Sequence, residues 1–249
     1  MTADELAPQY DLVVLAPKAY DLDDAIAAVA PAVGAHTHVL PLLNGIAHMD
    51  ALDRRFGRER VLGGAAHIGA VLERDGTVRQ LGELHVLIAG GRDAQAAGAA
   101  AEFIAVCARA RFDAVLSADI ETSLWEKWVL LATLAGITTL ARGSIGEIME
   151  TRDGERLIRQ LHAECAAVAA AAGVAIAPQV HERTLAMLTR RGSSFTASML
   201  RDLQSGRRTE HDHVLGDMLA RADAFGHDAP VLRAAYCHLQ VQAARRGGH

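Results

Sequence analysis

The sequence predicts an α/β domain followed by an all-α domain, on three observations. Short apolar runs alternate with helical stretches as far as about Ser117, the pattern of a largely parallel sheet. From Ile120 onward only helical periodicity is present. The composition is 51% hydrophobic but only 4% aromatic, and much of the apolar content is alanine, which favours helices over an all-β sandwich. The boundary is placed so that residues 1–117 form the first domain and 118–249 the second.

In the first domain Leu12–Ala16 (LVVLA) reads as a strand buried on both faces, and Asp23–Ala32 as the helix after it. A second strand, His38–Leu43, precedes a helix over His48–Phe56. Glycine-punctuated strands are then expected at Val61–Gly64, Val78–Leu81 and Leu84–Ala89, with Asp75-Gly76 as a hairpin turn. A helix over Asp93–Arg109 and a strand at Ala114–Ser117 close the domain. In the second, helices are expected over Ile120–Leu134, Gly154–Gly173, Val180–Arg190, Glu210–Phe225 and Pro230–Ala244. Gly173, Gly226 and Pro230 stand where helices stop and start.

Charge and cysteine content exclude several function classes. A net charge of −5 without a dense Lys/Arg run argues against a nucleic-acid groove or a polybasic membrane patch. The longest apolar stretches, Trp128–Ala141 and Ala166–Ala177, fall short of the ~20 residues of a membrane span. Met1–Glu5 is acidic, unlike the start of a signal peptide. Three scattered cysteines (Cys107, Cys165, Cys237) fit a reducing, cytoplasmic setting. No metal site is expected: His36-x-His38 and His211-x-His213 lack the spacing of a zinc site. A serine hydrolase lacks its G-x-S-x-G elbow.

Five residues are candidates for chemistry. Lys18 and Asn44 (with Gly45) follow the first two strands, and ligands of open α/β sheets bind at the carboxyl ends of strands. The ordinary structural reading is a helix-flanking lysine and a turn. Lys127 lies at i+3 from Leu124 and i−4 from Leu131, on an apolar helix face. There its pKa should fall, which suits a proton donor; the alternative is a lysine snorkelling to the surface. Glu210, four residues before Val214, either grips a substrate hydroxyl or caps the helix N-terminus. Ser198 either donates to a substrate carboxylate or caps a turn of helix.

Together the segments Asp11–Tyr20 (DLVVLAPKAY), Leu42–Gly45 (LLNG), Leu124–Lys127 (LWEK), Ile145–Ile148 (IGEI) and Ser198–Glu210 (SMLRDLQSGRRTE) resemble the ketopantoate reductase (2-dehydropantoate 2-reductase) family. The resemblance implies a Rossmann-type domain followed by a helical domain like that of 6-phosphogluconate dehydrogenase. It further implies NADPH-dependent reduction of a 2-keto acid in pantothenate biosynthesis, by a homo-oligomer. By the same resemblance Lys127 protonates the developing alkoxide and Glu210 holds the substrate hydroxyl. Ser198 and Asn44 contact the substrate, Ser198 at its carboxylate, while Lys18 and Asn44 sit beside the cofactor ribose and the nicotinamide end.

Two departures from the family pattern carry expectations of their own. The sequence has no G-x-G-x-x-G; its glycine pairs, Gly63-Gly64 and Gly90-Gly91, lack that spacing. The front of the dinucleotide-binding domain, about two βα units, is therefore expected to be missing, with Met1 just before the fourth strand of the usual sheet. Leu12–Ala16 then becomes an apolar edge that favours self-association. A non-catalytic paralogue that binds a metabolite or partner is the alternative this raises. Where family reductases place asparagines near the substrate, this sequence has Leu131, Ala135 and Ile145. That favours a less polar substrate.

Overall fold

The computed structural model describes residues 5–73 and 75–247. It divides into two compact units, one ending at Leu124 and the other beginning at Trp125.

The first unit is a layered α/β structure. Strand β1 (Leu12–Leu15) leads into helix α1 (Leu22–Val29), and β2 (His38–Pro41) into α2 (Ala47–Phe56). β1 and β2 pair in parallel, Leu12 opposite His38 through Leu15 opposite Pro41. Beyond α2 the chain rejoins the sheet where the Leu62 N–H donates to the Val39 carbonyl at 2.9 Å. It then forms β3 (Gly63–Leu72) and β4 (Val78–Gly90), which are antiparallel. Helix α3 (Ala94–Cys107) returns the chain to β5 (Asp113–Leu116), parallel to β4.

Alternation along the strands sends successive residues to opposite cores. Val39 packs with Leu52, Phe56 and Val61 on one face. Leu40 packs with Leu62, Ala96 and Ala100 of α3 on the other. The glycine pairs are explained by close approach. A Cβ at Gly64 would come within 2.6 Å of the Pro41 carbonyl oxygen, and one at Gly90 within 2.7 Å of that of Ser117.

Three strand expectations are corrected. β1 is not buried on both faces: Val14 is 48% exposed, because β1 pairs with β2 alone among the described residues. Of Val61–Gly64 only the two glycines are in a strand, one that runs on to Leu72, while Val61 forms an isolated bridge to Val39. Val78–Leu81 and Leu84–Ala89 are one strand, β4, whose register against β3 shifts between Ile68 and Gly69. That irregularity absorbs Gly82 at φ 76°, the glycine that reads locally as a break. The hairpin turn at Asp75-Gly76 is present: Asp75 Oδ1 accepts the Thr77 N–H at 2.9 Å and Gly76 has φ 87°.

The second unit is helical. Its axis is α4 (Ile120–Ala141), whose first residues belong to the first unit and which runs further than the periodicity predicts. Around it lie α5 (Ile145–Met149), α6 (Gly154–Ala171), α7 (Pro178–Leu188), α8 (Ser198–Gln204), α9 (Asp217–Ala224) and α10 (Pro230–Gly247). A Cβ added at Gly136 of α4 would meet Leu161 of α6 at 2.8 Å and Ala235 of α10 at 3.6 Å. Glycine there lets three helices converge. The buried Glu164 carboxylate accepts the Val231 and Leu232 N–H groups, satisfying the first turn of α10 behind Pro230. Among the described residues no helix is long and apolar enough to cross a membrane.

The expected helix Glu210–Phe225 is not uniform. Its first part, Asp212–Gly216, is a π-helical turn, and α9 follows directly. Such turns occur as local widenings of helices, often at functional sites.

Candidate active site

In the second unit Lys127 is buried on α4, with 7% of its surface exposed. The helical spacing of apolar neighbours places it there: Leu124 at i−3 is buried, Leu131 at i+4 is half-buried, and Ala135 a further turn on is buried. Burial removes water from the ammonium and brings its pKa down from 10.5 to about 8, a fall that the Glu210 carboxylate partly offsets. The snorkelling alternative is thereby set aside, since the side chain is not delivered to water.

Glu210 is itself 9% exposed. It ends the non-helical segment that follows α8, and its carbonyl accepts the Val214 N–H at 3.0 Å, opening the π-helical turn. The structure therefore brings together a buried cation and a buried carboxylate from segments far apart in sequence. Ser198 is exposed at the first position of α8; Ala197 is the cap residue, and no side-chain bond caps this helix. The capping reading of Ser198 is thus not what the structure shows.

In the first unit Lys18 and Asn44 lie at the carboxyl ends of the paired strands β1 and β2, and both are half-buried. The Lys18 carbonyl accepts the Asp21 N–H at 2.9 Å, so the backbone turns sharply after the strand. Gly45, at φ 78°, makes the corresponding turn after Asn44. Two polar side chains and a glycine turn thus stand at adjacent parallel strand ends, the place where open α/β sheets bind ligands. A cavity of about 410 Å³ opens elsewhere in this unit, at the start of α3 beside Gly91, Asp93 and Ser117. None of the five predicted residues lines it.

Sequence reasoning missed Trp128 and the π-helical turn. The Trp128 indole N–H donates to the Val214 carbonyl at 2.9 Å, across 86 positions. No local pattern encodes such a contact. Helix α5 was also missed, although Ser144-x-x-Glu147 is a readable capping box and the structure forms both of its bonds.

Two family models match, ketopantoate reductase PanE/ApbA over residues 1–92 and its C-terminal counterpart over residues 119–243. The chain belongs to the ketopantoate reductase family. It is 30% identical over 238 residues to the uncharacterized oxidoreductase YkpB of Bacillus subtilis, covering 96% of this chain and 78% of that one. The crystal structure of 2-dehydropantoate 2-reductase from Geobacter metallireducens superposes with a TM-score of 0.84 at 26% identity, covering 96% of this chain and 78% of that one. D-mandelate dehydrogenase, solved with NADH and anilino(oxo)acetate, shares the fold at a TM-score of 0.87 and 22% identity, over 98% and 80% of the two chains. The α/β-plus-helical architecture is thus that of the family, and the chain is a ketopantoate-reductase-like oxidoreductase.

Proposed function

We propose that the protein reduces a 2-keto acid to the 2-hydroxy acid with NADPH, ketopantoate being the reference substrate. The observation that carries this reading is the buried Lys127 held beside Glu210, in a chain of this family. Lys127 protonates the alkoxide oxygen as the carbonyl carbon is reduced, and its positive charge stabilises that oxygen as negative charge develops. With a pKa brought down to about 8, Lys127 gives up its proton more readily than an exposed lysine. Glu210 accepts a hydrogen bond from the substrate hydroxyl, and Ser198 donates to the substrate carboxylate. When bound, NADPH supplies the hydride. Lys18 and Asn44 would hold its ribose and nicotinamide end, a role that their position at the β1 and β2 strand ends supports.

Turnover requires the protonated lysine, so it is expected to fall as pH rises through about 8. Lys127→Ala is expected to lower kcat by roughly 10²–10⁴-fold, the usual contribution of a positioned acid, while NADPH binding stays near normal. NADPH absorbance with ketopantoate measures the first and fluorescence titration the second. Near-normal turnover by this variant would falsify the assignment.

A less polar substrate is the second reading, and Leu131 favours it. This residue stands one helical turn from Lys127 and keeps accessible surface, whereas Ala135 and Ile145 are buried. An apolar side chain there offers no partner to a substrate hydroxyl, which would lose its hydration without compensation. Comparing kcat/KM for ketopantoate with that for 2-keto acids bearing apolar side chains decides between the two.

A further inference from the structure

A buried lysine and a carboxylate cooperate only while the segments carrying them stay in register. In this chain Lys127 sits on α4, but Glu210 sits at the mouth of a π-helical turn. Such a turn widens the helix by exchanging i→i−4 bonds for i→i−5 ones, here from the Asp217 N–H to the Asp212 carbonyl. The Trp128 side chain, fully buried and adjacent to Lys127, donates its indole N–H to the Val214 carbonyl within that turn. The Val214 N–H in turn donates to the Glu210 carbonyl. One residue of the turn therefore links the Lys127 helix to the Glu210 backbone.

The surroundings hold this link from both sides. The Arg221 guanidinium of α9 lies 5.5 Å from the Trp128 ring and 5.8 Å from that of Trp125, and it also bonds Asp217 at 3.2 Å. From α10, the Tyr236 hydroxyl donates to Asp212 Oδ1 at 2.7 Å. Tyr236 also packs so tightly on Gly216 that a Cβ there would meet its hydroxyl at 3.0 Å. The charged and titratable groups on these segments include Glu210, Asp212, His213, Asp217 and Arg221, together with Glu126 beside Lys127 in sequence. His211 joins them through its Nδ1 contact with Thr209 Oγ1 at 2.9 Å.

We propose that Trp128 is a positioning residue, whose indole N–H fastens the π-helical turn to α4 and so sets the distance of the Glu210 carboxylate from the Lys127 ammonium. This rests on the reading of Lys127 and Glu210 as proton donor and substrate anchor. Its test does not need turnover. Of the 25 basic residues only Lys18 and Lys127 are lysines, so the chain labelled with ¹³Cε-lysine gives two signals. Lys127 can then be titrated directly.

Glu210→Gln removes the charge that opposes the burial effect and should lower the Lys127 midpoint by about one pH unit. Trp128→Phe, which keeps an apolar ring but loses the N–H, should lower it in the same direction. The double variant should titrate no lower than Glu210→Gln alone. A midpoint that stays put in Trp128→Phe overturns the proposal. So does one that rises toward 10.5, since simple loosening would rehydrate the ammonium. Additive lowering in the double variant overturns it as well. If Trp128→Phe does not fold, hydrogen exchange in the unmodified chain decides: the Trp128 indole N–H must exchange slowly, and exchange at the rate of an exposed indole sinks the proposal. Turnover is measured separately. Expected titrations without reductase activity would support the fastening role and count against the reductase reading alone.

Discussion

Among the described residues, Arg92 in the first unit and Lys127 in the second each hold a cationic side chain largely away from water, and the two are handled in opposite ways. In the first unit the Arg92 side chain is 6% exposed and meets Asp53 at 2.6 Å and Glu121 at 3.3 Å. In the second, Lys127 is 7% exposed and faces Glu210. Burial works against the charge of both. At Arg92 the two hydrogen-bonded carboxylates outweigh it and the pKa rises. At Lys127 the Glu210 carboxylate only reduces its effect, and the pKa falls to about 8. A cation whose carboxylates outweigh its burial holds its charge firmly, whereas one whose burial is only partly offset holds its proton more weakly.

The largest consequence is that Lys127 costs stability. Its native pKa of about 8 lies below the 10.5 of the unfolded chain. Between these values the unfolded state binds a proton that the native state does not, so this group makes stability rise with pH across that window. Below about pH 8 the whole penalty is present, roughly 3 kcal/mol at 1.36 kcal/mol per unit. Lys127→Met, which keeps the aliphatic stem, should therefore raise unfolding free energy by roughly 2–3 kcal/mol at neutral pH. The gain should shrink to nothing by about pH 11. Urea unfolding at several pH values checks it. A variant no more stable than the parent at neutral pH would break the contrast between the two cations.

Arg92→Met should act in the opposite direction. It leaves Asp53, whose side chain is 21% exposed, without its closest cation, because Arg58 approaches it only at 3.9 Å. Losing one partner of a fully buried pair costs about 3–5 kcal/mol. Here both carboxylates keep some contact with water, so a loss of about 2 kcal/mol is expected. The same urea titration measures it, and a change within about 0.5 kcal/mol would place Arg92 among ordinary surface residues.

How far the sequence reveals this contrast depends on the range of the contacts involved. Lys127 is legible because helical geometry alone puts it on the face of Leu124 and Leu131. Lys18 and Asn44 are legible because each follows a short apolar run. The parallel β1–β2 pair is legible from the strand–helix–strand spacing, and the Asp75-Gly76 hairpin from its own dipeptide. Arg92 stays hidden: its partners lie 39 and 29 positions away, with no periodicity linking them. The exposure of Val14 is hidden for the same reason, since apolar content does not say which strand lies beside it. The continuity of β4 through Gly82 depends on a register shift in β3. The π-helical turn depends on Trp128 and Tyr236, brought to it from other helices.

The smallest effect separates the chemistry of the side chain from that of its surroundings. Arg92→Lys keeps the positive charge but replaces a planar fork with a point charge that cannot span Asp53 and Glu121 in the same way. A loss of about 1 kcal/mol or less is expected. The pH behaviour is more telling than the size. A lysine between two carboxylates keeps its proton, so the stability difference between this variant and the parent should stay constant from about pH 7 to pH 10. Lys127 would meanwhile be losing its proton over part of that range. If the difference instead moves by more than about 1 kcal/mol, burial governs both cations alike. The low pKa of Lys127 would then be a property of any buried lysine in this protein, and not of the site where Glu210 only partly offsets burial.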